Sequence, residues 1–380
     1  MDKALKYLPV ATSSCANRSH NIIIKHTDET KSRRLPDFIS VTRGPGMRSH
    51  LSVGLDTGKG LSVAWQIPFI GVHHMQAHLL TPRLVSALMK DEGRTGIRPE
   101  RPSFPFVSIL VSGGHSMLVM SRSMTDHDII ASTVDIAIGE ALDKSARLII
   151  PQHLLETAEN SMYGKMLEKF AFPNGAADYA DYRPAMTRGE ELVKRESPWG
   201  WSFTVPFANT RQLRFSFAAL LSTLARLFSE RTGEEISQDE RIALAREAMR
   251  ICFEHLASRT IIALETLRSK NVGREEQIRT IVVSGGVAAN RFLTTVLRSF
   301  LDVRGFEDIE IIAPPPFLCT DNAAMIGWAG IEMFEAGWRS ELGCRALRKW
   351  ALDSRSDDGG ILGPSDWSRK FKENNTEENS

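Results

Sequence analysis

Cysteine is scarce in this chain: four residues among 380, at Cys15, Cys252, Cys319 and Cys344, with no CxxC pair. That spacing argues against a structural zinc cluster or a disulfide framework, and it fits a reducing compartment. Long apolar runs are missing too; none approaches the roughly 20 residues that a membrane-spanning helix requires. The net charge is only +1, so no overall basic footprint announces nucleic acid, although a local patch fits within that balance. Arg33, Arg34, Arg43, Arg188, Lys194 and Arg195 are the candidates for such a patch, and solvated surface charge is the plainer reading of each. No short-period repeat occurs. The first 35 residues mix basic side chains with Asp2, Asp28 and Glu29 and lack an amphipathic Arg/Ser pattern, which makes a poor targeting peptide.

What is present is the composition of a soluble globular protein, 42% hydrophobic and 24% charged with mean hydropathy -0.19. The length suggests two domains or lobes. Residues 1–36 read as an irregular segment apart from a short Ile22–Ile24 run, and order is expected from the strand Asp37–Val41. A helix is expected over Leu51–Trp65, where Gly54, Gly58 and Gly60 suit close packing on a sheet. A strand at Pro68–Val72 then delivers a helix from His74 to about Met89. Phe106–Val111, Met117–Ser121 and Ile129–Thr133 form a meander, and Gly139–Ile150 is helical. Residues 172–202 read as a long ordered loop or insertion. Phe217–Phe228 is helical, and Ser237-Gln238-Asp239-Glu240 is a capping box before a long helix with a buried Ile242, Ala245, Met249, Cys252, Leu256 stripe. A strand at Ile281–Val283, a helix at Arg291–Phe300, a strand at Ile309–Ala313 and a helix opened by Asp321 complete the pattern. The tail 374–380 reads as disordered. The expected division is a first lobe over 37–135 and a second over 136–373.

Three features carry chemistry. His74 and His78, four apart on a helix, present both imidazoles on one face and can share a divalent metal, with Asp321 as a third, oxygen ligand. Ligands from opposite ends of the chain imply a cleft between lobes. No Glu follows the first histidine, so the HExxH protease reading is rejected. Next, an apolar strand runs into Ser-Gly-Gly twice, at 112–114 and 284–286. Each is compatible with a plain tight turn, but the pair points to a nucleotide held between two α/β lobes, with Asn290 placed to bond a ribose or base. Last, Glu140 and Asp143 lie on the first turn of a helix, where they complement its dipole or, behind Gly139, belong to the site.

Together these motifs resemble the tRNA threonylcarbamoyladenosine transferases, in their mitochondrial and especially fungal form. The matching segments are Val41–Gly46, His73–His78, Val111–His115, Gly139–Lys144, Ser284–Asn290 and Cys319–Met325, with Arg348–Trp350 and Gly359–Gly363. The resemblance runs from about Asp37 to Trp367. It implies an actin-like, sugar-kinase-like (ASKHA) α/β fold of two lobes. It also implies transfer of a threonylcarbamoyl group from threonylcarbamoyl-adenylate to N6 of the adenosine beside the anticodon in tRNAs reading ANN codons, with release of AMP.

Carried over by motif, His74, His78 and Asp321 bind one divalent metal, zinc or iron. Leu110, Val111, Ser112, Gly113, Gly114, Asp143 and Asn290 bind the adenylate. Removal of the amine proton falls to Glu140, Asp143 or water. The expected partners are tRNA, the adenylate and a second copy of the chain, with a mitochondrial location and no membrane. Three departures are visible. The family's opening strand and Glu-Thr-Ser-Cys-Asp-Asp-Thr-like loop are not found, so the first lobe is expected to be incomplete. Ile149–His153 replaces a Tyr-Pro-Gly-Gly-Pro turn. Phe215-Ser216-Phe217-Ala218-Ala219-Leu220 stands for Phe-Ser-Phe-Ser-Gly-Leu. The alternative reading is a catalytically inactive, truncated paralogue that binds a nucleotide or partner.

Overall fold

The computed structural model describes residues 21–26, 29–90, 100–157, 163–231, 236–270 and 277–370. Cys15 and the 374–380 tail lie outside the described residues. In chain order the elements are β1 (Asn21–His26), β2 (Glu29–Arg34), β3 (Ile39–Gly44), α1 (Arg48–Trp65), β4 (Phe69–His73) and α2 (His74–Lys90). Next come β5 (Phe106–Val111), β6 (Ser116–Ser121), β7 (His127–Thr133), α3 (Ile138–Ile149) and α4 (Tyr163–Ala171). The remainder holds β8 (Arg214–Phe215), α5 (Ala218–Glu230), α6 (Gln238–Lys270), β9 (Thr280–Ser284), α7 (Arg291–Val303) and β10 (Glu310–Ile312). It closes with α8 (Ala323–Glu335), β11 (Trp338–Ser340) and β12 (Trp367–Arg369). The segment expected to be irregular contains the antiparallel pair β1–β2, a correction to the reading of residues 1–36.

Internal contacts divide the chain into two units, 1–77 with 326–351 and 361–380, and 78–325 with 352–360. The division expected between 135 and 136 does not follow this, because strands on both sides of that point share one sheet. In the first unit β3 and β4 pair in parallel. Leu55 of α1, Phe69 and Cys344 form a small core with Ile39, Val41 and Ala346. Of the three helix glycines only Gly58 meets the sheet, where an added Cβ would lie 2.7 Å from Val41; Gly54 and Gly60 face open space. Arg43 is 2% exposed and forms a two-pronged ion pair with Asp366, both contacts at 2.7 Å.

The second unit is built on a mixed sheet ordered β10-β9-β5-β6-β7-β8. β10, β9 and β5 run parallel, and β5-β6-β7 is the antiparallel meander read from the sequence. β5 is buried along its whole length, as its unbroken apolar run requires. Helices α3, α5, α6 and α7 bury their apolar faces in one continuous core with this sheet. The α6 stripe is buried at Ala245, Met249, Cys252 and Leu256, as the spacing predicted. Its capping box is only half formed. Ser237 Oγ accepts from Glu240 N at 3.2 Å, but the Glu240 carboxylate accepts instead from Trp201 Nε1 (3.1 Å) and Arg231 (2.6 Å). That substitution of partners pins the 172–202 segment, which carries only short helical turns at Gly175–Tyr179 and Arg188–Glu191.

Two stability predictions follow from buried charge. Removing Asp366 strands the Arg43 guanidinium, so Asp366→Ala should destabilise the protein by about 3–5 kcal/mol in chemical denaturation. His127 is fully buried between Ser121 Oγ (2.9 Å) and the Met124 carbonyl (2.8 Å). Burial lowers its pKa to about 4, against the raising influence of the Met124 carbonyl and Asp126. The unfolded chain therefore takes up a proton that the folded chain refuses, and stability falls as pH drops from about 6.5 to 4, by about 3 kcal/mol from this residue. His127→Gln should flatten that part of a stability-against-pH curve.

Candidate metal and nucleotide site

The three ligands named from sequence meet. His74 and His78 occupy successive turns of α2, and His78 Nε2 lies 3.0 Å from Asp321 Oδ1. One donor atom from each of His74, His78 and Asp321 falls within 4.8 Å of the others. The Asp321 side chain is 77% exposed while His78 is 9% exposed, so the donor set has access to an ion from solvent. Two imidazole nitrogens and a carboxylate oxygen suit zinc and iron alike, with coordination positions left for other groups. Asp321 does not open the following helix itself. Asn322 Oδ1 takes that role by accepting from Met325 N at 2.9 Å, which leaves the Asp321 carboxylate to face His78.

His73 has a different task. Its Nδ1 accepts from Met75 N (3.2 Å) and Gln76 N (3.4 Å), capping the start of α2. Its other nitrogen therefore carries the proton and donates to the Trp350 carbonyl at 3.2 Å. The cap fixes where the helix begins, and hence which face His74 and His78 share.

Pro82 sits inside α2. Proline has no N–H, so the His78 carbonyl four residues earlier loses its usual helical donor. Ser284 Oγ, at the end of β9, supplies a replacement at 3.3 Å, with Ser284 fully buried. The second histidine is thereby fastened to the first residue of the second Ser-Gly-Gly loop.

The two glycine loops lie side by side in one sheet, not in separate lobes. β5 and β9 are parallel neighbours with Leu110 opposite Ser284, so Ser112–Gly114 and Gly285–Gly286 leave adjacent strand ends. This corrects the reading of the echo as one loop per lobe. Gly285 has φ +97, and an added Cβ would fall 2.3 Å from the Val111 carbonyl oxygen. Gly139 at the start of α3 donates to the Ser112 carbonyl at 3.2 Å, and a Cβ there would lie 2.7 Å from Ser112 backbone atoms. Gly113 and Gly114 are exposed with open space where a side chain would be. Two parallel strand ends beside a helix start form the type of crevice in which α/β sheets hold nucleotides.

The remaining predicted residues fall into different positions. Asn290 is buried; its Oδ1 accepts from Leu293 N at 3.2 Å, capping α7, and its Nδ2 faces Met249 Sδ at 3.7 Å. Glu140 pairs with Lys144 at 2.6 Å across one helical turn. Asp143 accepts from Gly164 N at 2.6 Å, and burial raises it above the usual carboxylate range against lowering by that bond and by Arg147.

A family model described as tRNA N6-adenosine threonylcarbamoyltransferase matches residues 31–328. The chain belongs to the tRNA N6-adenosine threonylcarbamoyltransferase family. It is similar to the mitochondrial tRNA N6-adenosine threonylcarbamoyltransferase of Schizosaccharomyces pombe, 36% identical over 323 residues that cover 83% of this chain and 67% of that protein. It is also similar to the enzyme of that name from Zymomonas mobilis, 30% identical over 325 residues, covering 84% and 73%. Among solved structures, T. kodakarensis HypF aligns over 78% of this chain and 41% of its own at 12% identity, with a TM-score of 0.41, too low to bear on the fold. As a member of this threonylcarbamoyltransferase family the chain is an enzyme, a transferase that modifies tRNA.

For a threonylcarbamoyltransferase that must hold tRNA, two of the six suggested basic residues are committed inside the fold. Arg43 is buried against Asp366, and Arg188 pairs with Glu191 while donating to the Phe207 and Ala208 carbonyls. Arg34, Lys194 and Arg195 pair with Asp37, Glu196 and Glu254 on the surface. A cavity of about 380 Å³ lies elsewhere in the second unit, between Tyr182, Trp199 and Trp201 on one side and Arg246, Glu247 and Arg250 of α6 on the other. Of the residues singled out from sequence as candidate ligands or tRNA contacts, Arg195 lines it, and none of the metal or adenylate candidates does. Sequence reasoning missed the Pro82–Ser284 coupling, although a proline four residues after a ligand was its visible sign.

No helix among the described residues is long and apolar enough to cross a membrane. Cys252, Cys319 and Cys344 are all free and buried. His78→Ala and Asp321→Ala should each lower bound zinc or iron at least about tenfold by elemental analysis. Ser284→Ala should weaken metal affinity less, by about two- to tenfold, with the fold retained by circular dichroism.

Proposed function

We propose that the enzyme transfers the threonylcarbamoyl group of threonylcarbamoyl-adenylate to N6 of adenosine 37 in tRNAs that read ANN codons, releasing AMP. The observation that carries this reading is the His74–His78–Asp321 donor set fastened through Ser284 to a pair of adjacent glycine loops. Family membership supports the overall transfer; the donor, the target base and the codon set are our inference. The same reading assigns the protein an actin-like fold of two lobes, activity as a homodimer, and a mitochondrial location like that named for its S. pombe relative.

The adenine amine is a poor nucleophile because its lone pair is shared with the ring, whereas the carbamoyl–phosphoryl anhydride is already activated. The protein's task is therefore to orient the two and stabilise the departing charge. N6 attacks the carbamoyl carbon, the bond from that carbon to the phosphoryl oxygen breaks, its electron pair leaves with AMP, and one amine proton is taken up. His74, His78 and Asp321 would hold a divalent ion, which when bound would supply electrostatic stabilisation for the leaving phosphate. Backbone from Leu110 and Val111 through Ser112, Gly113 and Gly114 cradles the adenylate, with Asp143 beside it. Asn290 contributes by fixing the start of α7 rather than through a free amide. Asp143, raised by burial, is better suited to accept the proton than Glu140, whose charge Lys144 offsets.

The test supplies purified protein with threonylcarbamoyl-adenylate and a tRNA transcript and follows modified nucleoside and AMP. Equal yields of both are expected, and His78→Ala or Asp321→Ala should lower the rate by about 100-fold or more. Full activity in a variant shown to be free of metal would overturn the reading. Asp143→Asn should cost more than Glu140→Gln.

A further inference from the structure

We propose that Phe317 is a stacking platform for an unpaired base of the tRNA adjoining the adenosine being modified. Its side chain is 74% exposed, the highest value for a large apolar residue among the described residues. A single exposed apolar side chain is ordinary in itself, so the case rests on where this one is mounted.

The mount is rigid. Leu318 and Cys319 are both buried. Leu318 N donates to the Pro315 carbonyl at 2.8 Å, and Cys319 Sγ donates to the Pro314 carbonyl at 3.2 Å. Three consecutive prolines, Pro314–Pro316, stiffen the approach. The location is equally telling. The turn Pro316–Cys319 lies against the 286–289 turn that follows the second glycine loop, and Asp321 comes two residues after it. The turn that carries the ring thus neighbours both halves of the candidate site.

The occupant is an RNA base on chemical grounds. The substrate of this family is tRNA, and single-stranded loop bases are recognised by stacking on aromatic side chains, which accept any base. A pre-positioned ring loses little side-chain freedom on binding. The proposal rests on the reading of His74, His78 and Asp321 as the reaction site, so its test is chosen to be separable from that reading.

The measurement is tRNA affinity without donor, by anisotropy of a labelled transcript, together with steady-state kinetics. Phe317→Ala should raise Kd and KM for tRNA about tenfold, with the loss falling mainly on KM and with metal content unchanged. Phe317→Trp should restore affinity. Unchanged tRNA affinity in Phe317→Ala would overturn the proposal, as would a loss that Phe317→Trp does not rescue, or a change in oligomeric state alone, which would mark a protein contact. If His78→Ala retained activity the metal reading would fail, yet a tenfold binding loss in Phe317→Ala would still stand.

Discussion

A helix that carries two candidate metal ligands needs a fixed depth and a fixed rotation, and in α2 a missing hydrogen bond sets the depth. Pro82 offers no N–H, so the His78 carbonyl is left to find a donor outside its own helix. A buried acceptor without one costs about 1–3 kcal/mol, which is a strong incentive for Ser284 to reach it. Rotation is set one turn earlier by His73, whose ring accepts the N–H groups of Met75 and Gln76. With the cap at one end and the serine at the other, the imidazoles are held by backbone contacts that do not involve their own ring nitrogens. The backbone on either side of the two histidines is thus fixed independently of whatever their rings contact.

The same serine begins the second glycine loop, so ligand geometry and loop geometry are not independent. β9 delivers Ser284 and then turns at Gly285, in a conformation that L side chains rarely adopt and against the Val111 carbonyl oxygen. β5 delivers Val111 and then turns at Ser112, whose carbonyl accepts from Gly139 at the start of α3. Each glycine is required because backbone, not a flexible side chain, occupies the space of its missing Cβ. A displacement of β9 relative to β5 would therefore shift the loops and the His78 anchor together.

Local pattern made much of this legible. The strand and helix positions around 39–44, 69–90, 106–133 and 280–303 follow from apolar periodicity, and the i,i+4 histidines from helix geometry. The reading failed where a residue's partner lies far along the chain. The Ser-Gly-Gly echo was visible, but which strands pair is decided by the whole sheet, and it made the two loops neighbours. Asn290 showed a polar amide at a loop end; that the amide is used up in capping α7 depends on the exact first turn of that helix. Glu240 fitted a capping box perfectly by spacing, yet Trp201 and Arg231 compete for its carboxylate and win, because a charge-assisted bond from an arginine is stronger than one from a backbone amide.

Net charge misleads for a related reason. An enzyme that handles tRNA ordinarily advertises basic surface, and +1 does not. Part of the positive charge is spent inside: Arg43 on Asp366, Arg259 on the Thr210, Gln212 and Phe207 carbonyls, and Arg304 on Glu191. These guanidiniums organise loops and cannot be redeployed to phosphates without unfolding what they hold. Recognition of an unpaired base also draws on groups that act at short range. An aromatic face meeting an unpaired base is such a group, and it discriminates a loop from a duplex, in which every base is already stacked.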